Sequence, residues 1–146
     1  MEAYKIPVKI KLTTEIIDTG KKEVTVVEEE GSFYQKGNTS VLTFTEHSEE
    51  QDDINALITI RQEQVSVKRT GAVDMHQFFR KKRVTENVYK HAYGSMHMET
   101  QTDQITYQLS DDREKGKLFI SYTTKIDGEI ERRHRLTLLF TKEENQ

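Results

Sequence analysis

Apolar side chains recur at every second position in short runs along almost the whole chain, a period that suits strands and not helices. Tyr4, Ile6, Val8, Ile10 and Leu12 occupy even positions, with Lys5, Lys9 and Lys11 between them. The final run repeats the pattern, with Ile130, Arg132, His134, Leu136, Leu138 and Phe140 on one parity. Turn signals separate the runs: Asp18-Thr19-Gly20-Lys21, Lys36-Gly37-Asn38, Gly71, Arg80–Arg83, Gly94, Asp111–Gly116 and Asp127-Gly128. Asp-Gly supplies the positive φ angles of a two-residue hairpin turn. About nine or ten short strands follow, and no stretch is long enough for a crossover helix. The expectation is an all-β fold, a single antiparallel up-and-down β-barrel, because closure removes the edges an open sheet would expose. A two-sheet sandwich is the alternative.

Local readings accompany this frame. Strand two runs through Val24, Val26 and Glu28–Glu30, and Gly31 marks a bend or bulge before Phe33. Val65, Val67 and Arg69 share a face, and Val73, Met75 and Phe79 resume the apolar row after Gly71. Gln101 to Asp103 reads as a turn, and Ser48 to Asp53 as an acidic surface loop. Pro7, which cannot donate to a ladder, belongs at an edge or at the start of the sheet.

At 146 residues the chain fits one domain, 1–146, able to bury roughly two-thirds of its unfolded surface. The charged fraction is 32% and the apolar fraction 34%, a balance that suits strands wetted on one face. A net charge of −3 gives no general attraction to nucleic acid, which is therefore not an expected partner. The absence of cysteine excludes disulfides and thiolate chemistry and fits a reducing compartment. No apolar run approaches the ~18 residues of a membrane span, and the alternating first residues do not resemble a secretory signal. The expected setting is the cytoplasm, without membrane association, as monomer or homodimer.

Candidate site residues come from parity. Arg132 and His134 share the inward row of Leu136, Leu138 and Phe140, and Arg69 ends the inward row of Val65 and Val67. A buried guanidinium must meet a carboxylate, a ligand anion or water. Three such groups at a barrel mouth could hold the acidic head of a small ligand, unless a bulge after Gly128 reverses the parity. Tyr89, Tyr93, Tyr107 and Tyr122 are candidate wall residues, or plain core fillers. The five histidines lack metal-ligand spacing, and alternation separates Met75 from His76 and Met96 and Met98 from His97, so no metal site or other cofactor is expected. The acids Glu46, Glu49, Glu50, Asp52 and Asp53 read as solubilising. No nucleophile elbow or phosphate loop occurs, so no catalytic residue is assigned.

Arg69-x-Gly71-x-Val73-x-Met75, then Tyr89-x-His91-x-Tyr93-Gly94, and the final strand pair resemble the YwiB-like family of uncharacterised bacterial proteins over nearly the whole chain. In that pattern threonine is expected at the position of His91. The resemblance implies a calycin-like, lipocalin-type β-barrel and carries no activity with it. Two functions stand side by side. One is a non-enzymatic barrel holding a small amphipathic or hydrophobic anionic ligand inside. The other is a filled barrel acting in structure or protein interaction through its outer surface, with Ile17, Val27 and Leu139 as exposed apolar candidates.

Overall fold

In the computed structural model, which describes residues 4–144, the chain forms ten antiparallel strands and no helix. They are β1 (Tyr4–Asp18), β2 (Lys21–Lys36), β3 (Thr39–Glu46), β4 (Ile54–Arg61), β5 (Gln64–Gly71), β6 (Met75–Arg80), β7 (Val84–His91), β8 (Gly94–Leu109), β9 (Lys115–Ile126) and β10 (Ile130–Lys142). All lie in one sheet, ordered β6-β5-β4-β3-β2-β1-β10-β9-β8-β7, which curls until β6 and β7 meet. The result is a nearly closed up-and-down barrel rather than a sandwich. The first and last residues of the 1–146 range, and the side chain of Tyr4, lie outside the described residues.

The two ends of the chain lock the sheet together. β1 pairs with β10 from Val8↔Lys142 to Ile17↔Arg133, and with β2 along its whole length. Pro7 sits just outside the β10 register, so its missing N–H breaks no bond there. The seam between β6 and β7 is different. A mutual main-chain pair joins Asp74 and Lys90 at 2.9 Å in each direction, and the Thr85 hydroxyl donates to the Phe78 carbonyl. From Met75 to Arg80 no main-chain hydrogen bond joins the two strands. Inside, the buried Gln77 amide donates to Thr100 Oγ1 at 2.9 Å and bridges the seam.

Alternation decides what fills the barrel. The inward rows of β1, β3, β4, β9 and β10 place Val8, Leu42, Ile58, Ile60, Leu118, Ile120 and Leu138 in full burial. Phe33 stacks on Phe140 at 4.5 Å between ring centroids. Each such side chain contributes about 1.5–3 kcal/mol by leaving water. These residues occupy the half of the barrel where β2, β4, β6, β8 and β10 finish. At the other end, on β10, β1 and β2, the inward rows lose burial: His134, Arg132, Ile16 and Val27 are only half-buried and Glu23 is exposed. One end is packed throughout, and the other is open only on its β10–β1–β2 side, since Ile54, Val73, Met75 and Thr124 remain buried there.

Two local readings need correction. β2 carries no bulge at Gly31, which pairs regularly with Val8 and Phe44. Glycine stands there because an added Cβ would come 2.3 Å from the Thr43 carbonyl oxygen. With the parity unbroken from Phe33, Val27 faces the core while Val24 and Val26 face out, 54% and 50% exposed. Likewise Gln101–Asp103 is not a turn. β8 runs straight through, and a register shift between Thr102 and Gln104 absorbs one residue. On its other side β8 continues the β7 register one step past Val84↔Gln101: the Thr102 oxygen accepts from Lys82 N at 2.8 Å and its nitrogen donates to the Arg83 oxygen at 3.2 Å. The basic turn is pinned to the barrel by this pair.

Candidate functional site

β10 keeps its register from Ile130 onward, so no bulge reverses the parity, and Arg132 and His134 do face the interior side of the sheet. Tyr122 lies directly across from His134 on β9, and Thr124 across from Arg132. That pairing brings the rings together: the His134 imidazole stacks on Tyr122 with centroids 4.7 Å apart and planes 3° from parallel. His134 Nε2 and Thr124 Oγ1 share a hydrogen bond of 2.7 Å. Burial, reinforced by the neighbouring Arg132 charge, holds the imidazole pKa down to about 4, so the ring is neutral at neutral pH. Below it Tyr122 is buried and meets Phe79 edge-on at 4.7 Å. Burial pushes its phenol far above the ordinary value, with Arg69 opposing.

Arg69 reaches this group from β5 but does not come free. Its Nε and Nη2 donate to Glu46 Oε2 and Oε1 at 3.0 and 3.1 Å, a two-pronged ion pair with both side chains mostly buried. Glu46 is therefore a partner inside the mouth and not a solubilising acid. Its parity with Leu42 and Phe44 on β3 carried that information. Arg132 faces Asp18 at 3.3 Å, with both side chains 41% exposed. The contact is made by the Arg132 Nε, which is shielded from solvent and meets Asp18 as an ion pair without hydrogen-bond geometry. Two of the three inward polar groups thus already face carboxylates, and the third is an uncharged imidazole.

The tyrosines divide. Tyr122 belongs to the mouth. Tyr107 lies in the packed half, where burial raises its phenol pKa and the nearby Ser40 opposes. Tyr89 is half-buried on β7. Tyr93 is not on the wall at all: the β7–β8 hairpin turns at Ala92-Tyr93, and the ring is 96% exposed. Its shared parity with Tyr89 and His91 ended where the strand did. Tyr89, His91 and Tyr93 instead flank an open cleft beneath the 47–53 loop. Among the described residues no three His, Cys, Asp or Glu side chains converge as a metal ion would require.

The barrel matches known proteins along nearly its whole length. The chain is 29% identical to the "Uncharacterized beta-barrel protein YwiB" of Bacillus subtilis (strain 168) over 134 residues, 92% of each protein. The crystal structure of the Bacillus subtilis ywiB protein superposes with a TM-score of 0.85 at 26% identity, covering 96% of this chain and 94% of that one. The family described as "Domain of unknown function (DUF1934)" matches residues 10–138, from the middle of β1 to the middle of β10. The chain belongs to that family.

Proposed function

We propose that the protein is a non-catalytic binding barrel whose open end takes a small amphipathic molecule. The ligand's apolar part rests against the half-buried Leu12, Ile16 and Val27 and the edge of the Tyr122–His134 stack. Its acidic group accepts from Arg132. The observation that carries this reading is the Arg132 guanidinium at the open end, 41% exposed, whose Nε faces Asp18 Oδ2 at 3.3 Å without making a hydrogen bond. A ligand carboxylate can supply the charge-assisted hydrogen bond that Asp18 does not make. Arg69 is the weaker head-group candidate, since two hydrogen bonds tie its guanidinium to Glu46 whereas the Arg132–Asp18 pair has none. The packed half leaves the ligand at the mouth and not deep in the barrel. The cytoplasm, with the chain acting as one domain, is the setting in which we place it.

The outer-surface reading keeps Leu139, 41% exposed, loses Val27 to the core, and gains two further residues. Val24 and Val26 of β2 stand half exposed side by side on the outer face, and a partner protein could cover them.

Titration with a dansylated C11 fatty acid separates the two. A saturable fluorescence rise is expected, weakened about tenfold by Arg132→Gln, since a charge-assisted hydrogen bond is worth roughly 1.5–3 kcal/mol. No rise, or an unchanged affinity in the variant, overturns the binding site.

A further inference from the structure

We propose that the cleft between the 47–53 loop and the β7–β8 hairpin binds a small organic ammonium ion, at a place separate from the Arg132 mouth. The cleft is open to solvent on one side and has a volume of about 810 Å³, within the range of small-molecule sites. One wall is aromatic. Tyr89, His91 and Tyr93 run along the hairpin with centroids 5.5 and 6.0 Å apart and planes inclined by 45° and 58°. Successive faces are therefore turned at an angle around a common space. The opposite wall carries Glu49, Glu50 and Asp52, and Val73 and Met96 also line the cleft. No lysine or arginine lines it.

Two independent features point to the same ligand charge. Ring faces are electron-rich and attract a cation within about 6 Å, best when it is weakly hydrated, as an alkylammonium is. The carboxylates add attraction of the same sign. A metal ion does not fit, since the described acids and histidines do not converge. The exposure of Tyr93 is the third observation. Its ring is 96% in water at a two-residue turn, while the other exposed large apolar side chains range from 38% to 57%. No packing within this chain covers it, so its face is free to meet a ligand.

The cleft is held in shape before any ligand arrives. His47 N donates to Glu29 Oε2 at 3.1 Å, and the His47 ring meets Asp53 at 3.1 Å. Ala72 N donates to the Asp53 oxygen at 3.3 Å, fixing the acidic loop to the β5–β6 connection. On the other wall Tyr93 N donates to His91 Nδ1 at 3.1 Å, and the Asp74–Lys90 pair anchors the hairpin.

Choline and its neutral isostere 3,3-dimethylbutan-1-ol test the proposal, followed by NMR shifts of the Tyr93, Gly94 and Glu49 amides. Saturable shifts with choline are expected, at least ~5-fold weaker with the alcohol, from the ~1 kcal/mol or more of a cation on aromatic faces. Tyr93→Ala, a change in an exposed turn, should weaken choline binding ~3–10-fold and leave the rest of the spectrum unchanged. Glu49→Gln with Glu50→Gln should weaken it too and flatten its dependence on salt. Equal affinity for the alcohol, no saturable shift with choline up to ~10 mM, or full affinity in Tyr93→Ala would each overturn it.

Discussion

The His134 imidazole lies flat on the Tyr122 ring, 4.7 Å between centroids and 3° between planes, with Thr124 Oγ1 on its Nε2 at 2.7 Å. The arrangement joins the inner faces of β9 and β10 at the point where the packed interior gives way to the open end.

This stack accepts an uncharged ring. His134 has a folded-state pKa near 4 against an ordinary 6.5, so the unfolded chain binds the extra proton between those values. Stability from this group is complete above about pH 6.5 and is lost as pH falls toward 4. With solvent reaching part of the ring, the loss is on the order of 2 kcal/mol. Urea midpoints of the wild type and His134→Phe, compared at pH 7.5 and pH 4.5, measure it. The wild type should lose more stability than the variant, and equal losses would assign the pH dependence elsewhere.

Glu46 and Arg69 form a two-pronged pair largely out of water. Glu46→Gln leaves the guanidinium beside Tyr122 without its counter-charge and should cost about 2 kcal/mol, below the ~3–5 of a fully buried pair. Arg69→Met combined with Glu46→Leu should restore most of that loss. Chemical denaturation of the two variants reads both values.

Gly31→Ala should destabilise by about 2–3 kcal/mol, because its Cβ would meet the Thr43 carbonyl oxygen at 2.3 Å and Phe44 Cβ at 2.9 Å. Neither neighbour is a flexible side-chain end, so β2 and β3 would have to separate. A thermal shift of several degrees downward is the expected readout, and an unchanged midpoint would mean that the sheet yields at this point.

The seam should be the first part of the barrel to open. β6 and β7 each have a hydrogen-bonded ladder on one side only, whereas β1 is paired on both. Amide hydrogen exchange in β6 and β7 should outpace that of β1 and β10 by at least ~10-fold. Uniform protection around the barrel would contradict the seam.

Much of this architecture was legible in the sequence because a strand writes its two faces alternately. The inward rows of β1, β4, β9 and β10 follow from parity alone, and so do the inward Arg69, Arg132 and His134. Parity fails where the chain gains or loses a residue without a turn. The bulge at Thr102 to Gln104 looked like a turn, and the unbroken pairing of Gly31 was read as a bulge, which turned Val24 and Val26 to the wrong face. Tyr93 failed for the opposite reason, since the strand ends two residues before it. The partners of the cations were the harder part. That Glu46 meets Arg69, 23 residues on, depends on barrel curvature, which no periodicity records.

A small molecule held at the open end of this barrel would stay with the protein through purification. Paired native and denaturing mass spectra of the protein purified from its own host test this most directly. A discrete added mass in the native spectrum, absent after denaturation and reduced in Arg132→Gln, is the expected result. The bare chain mass in both spectra, with no binding of the dansylated fatty acid added to the same sample, would contradict it.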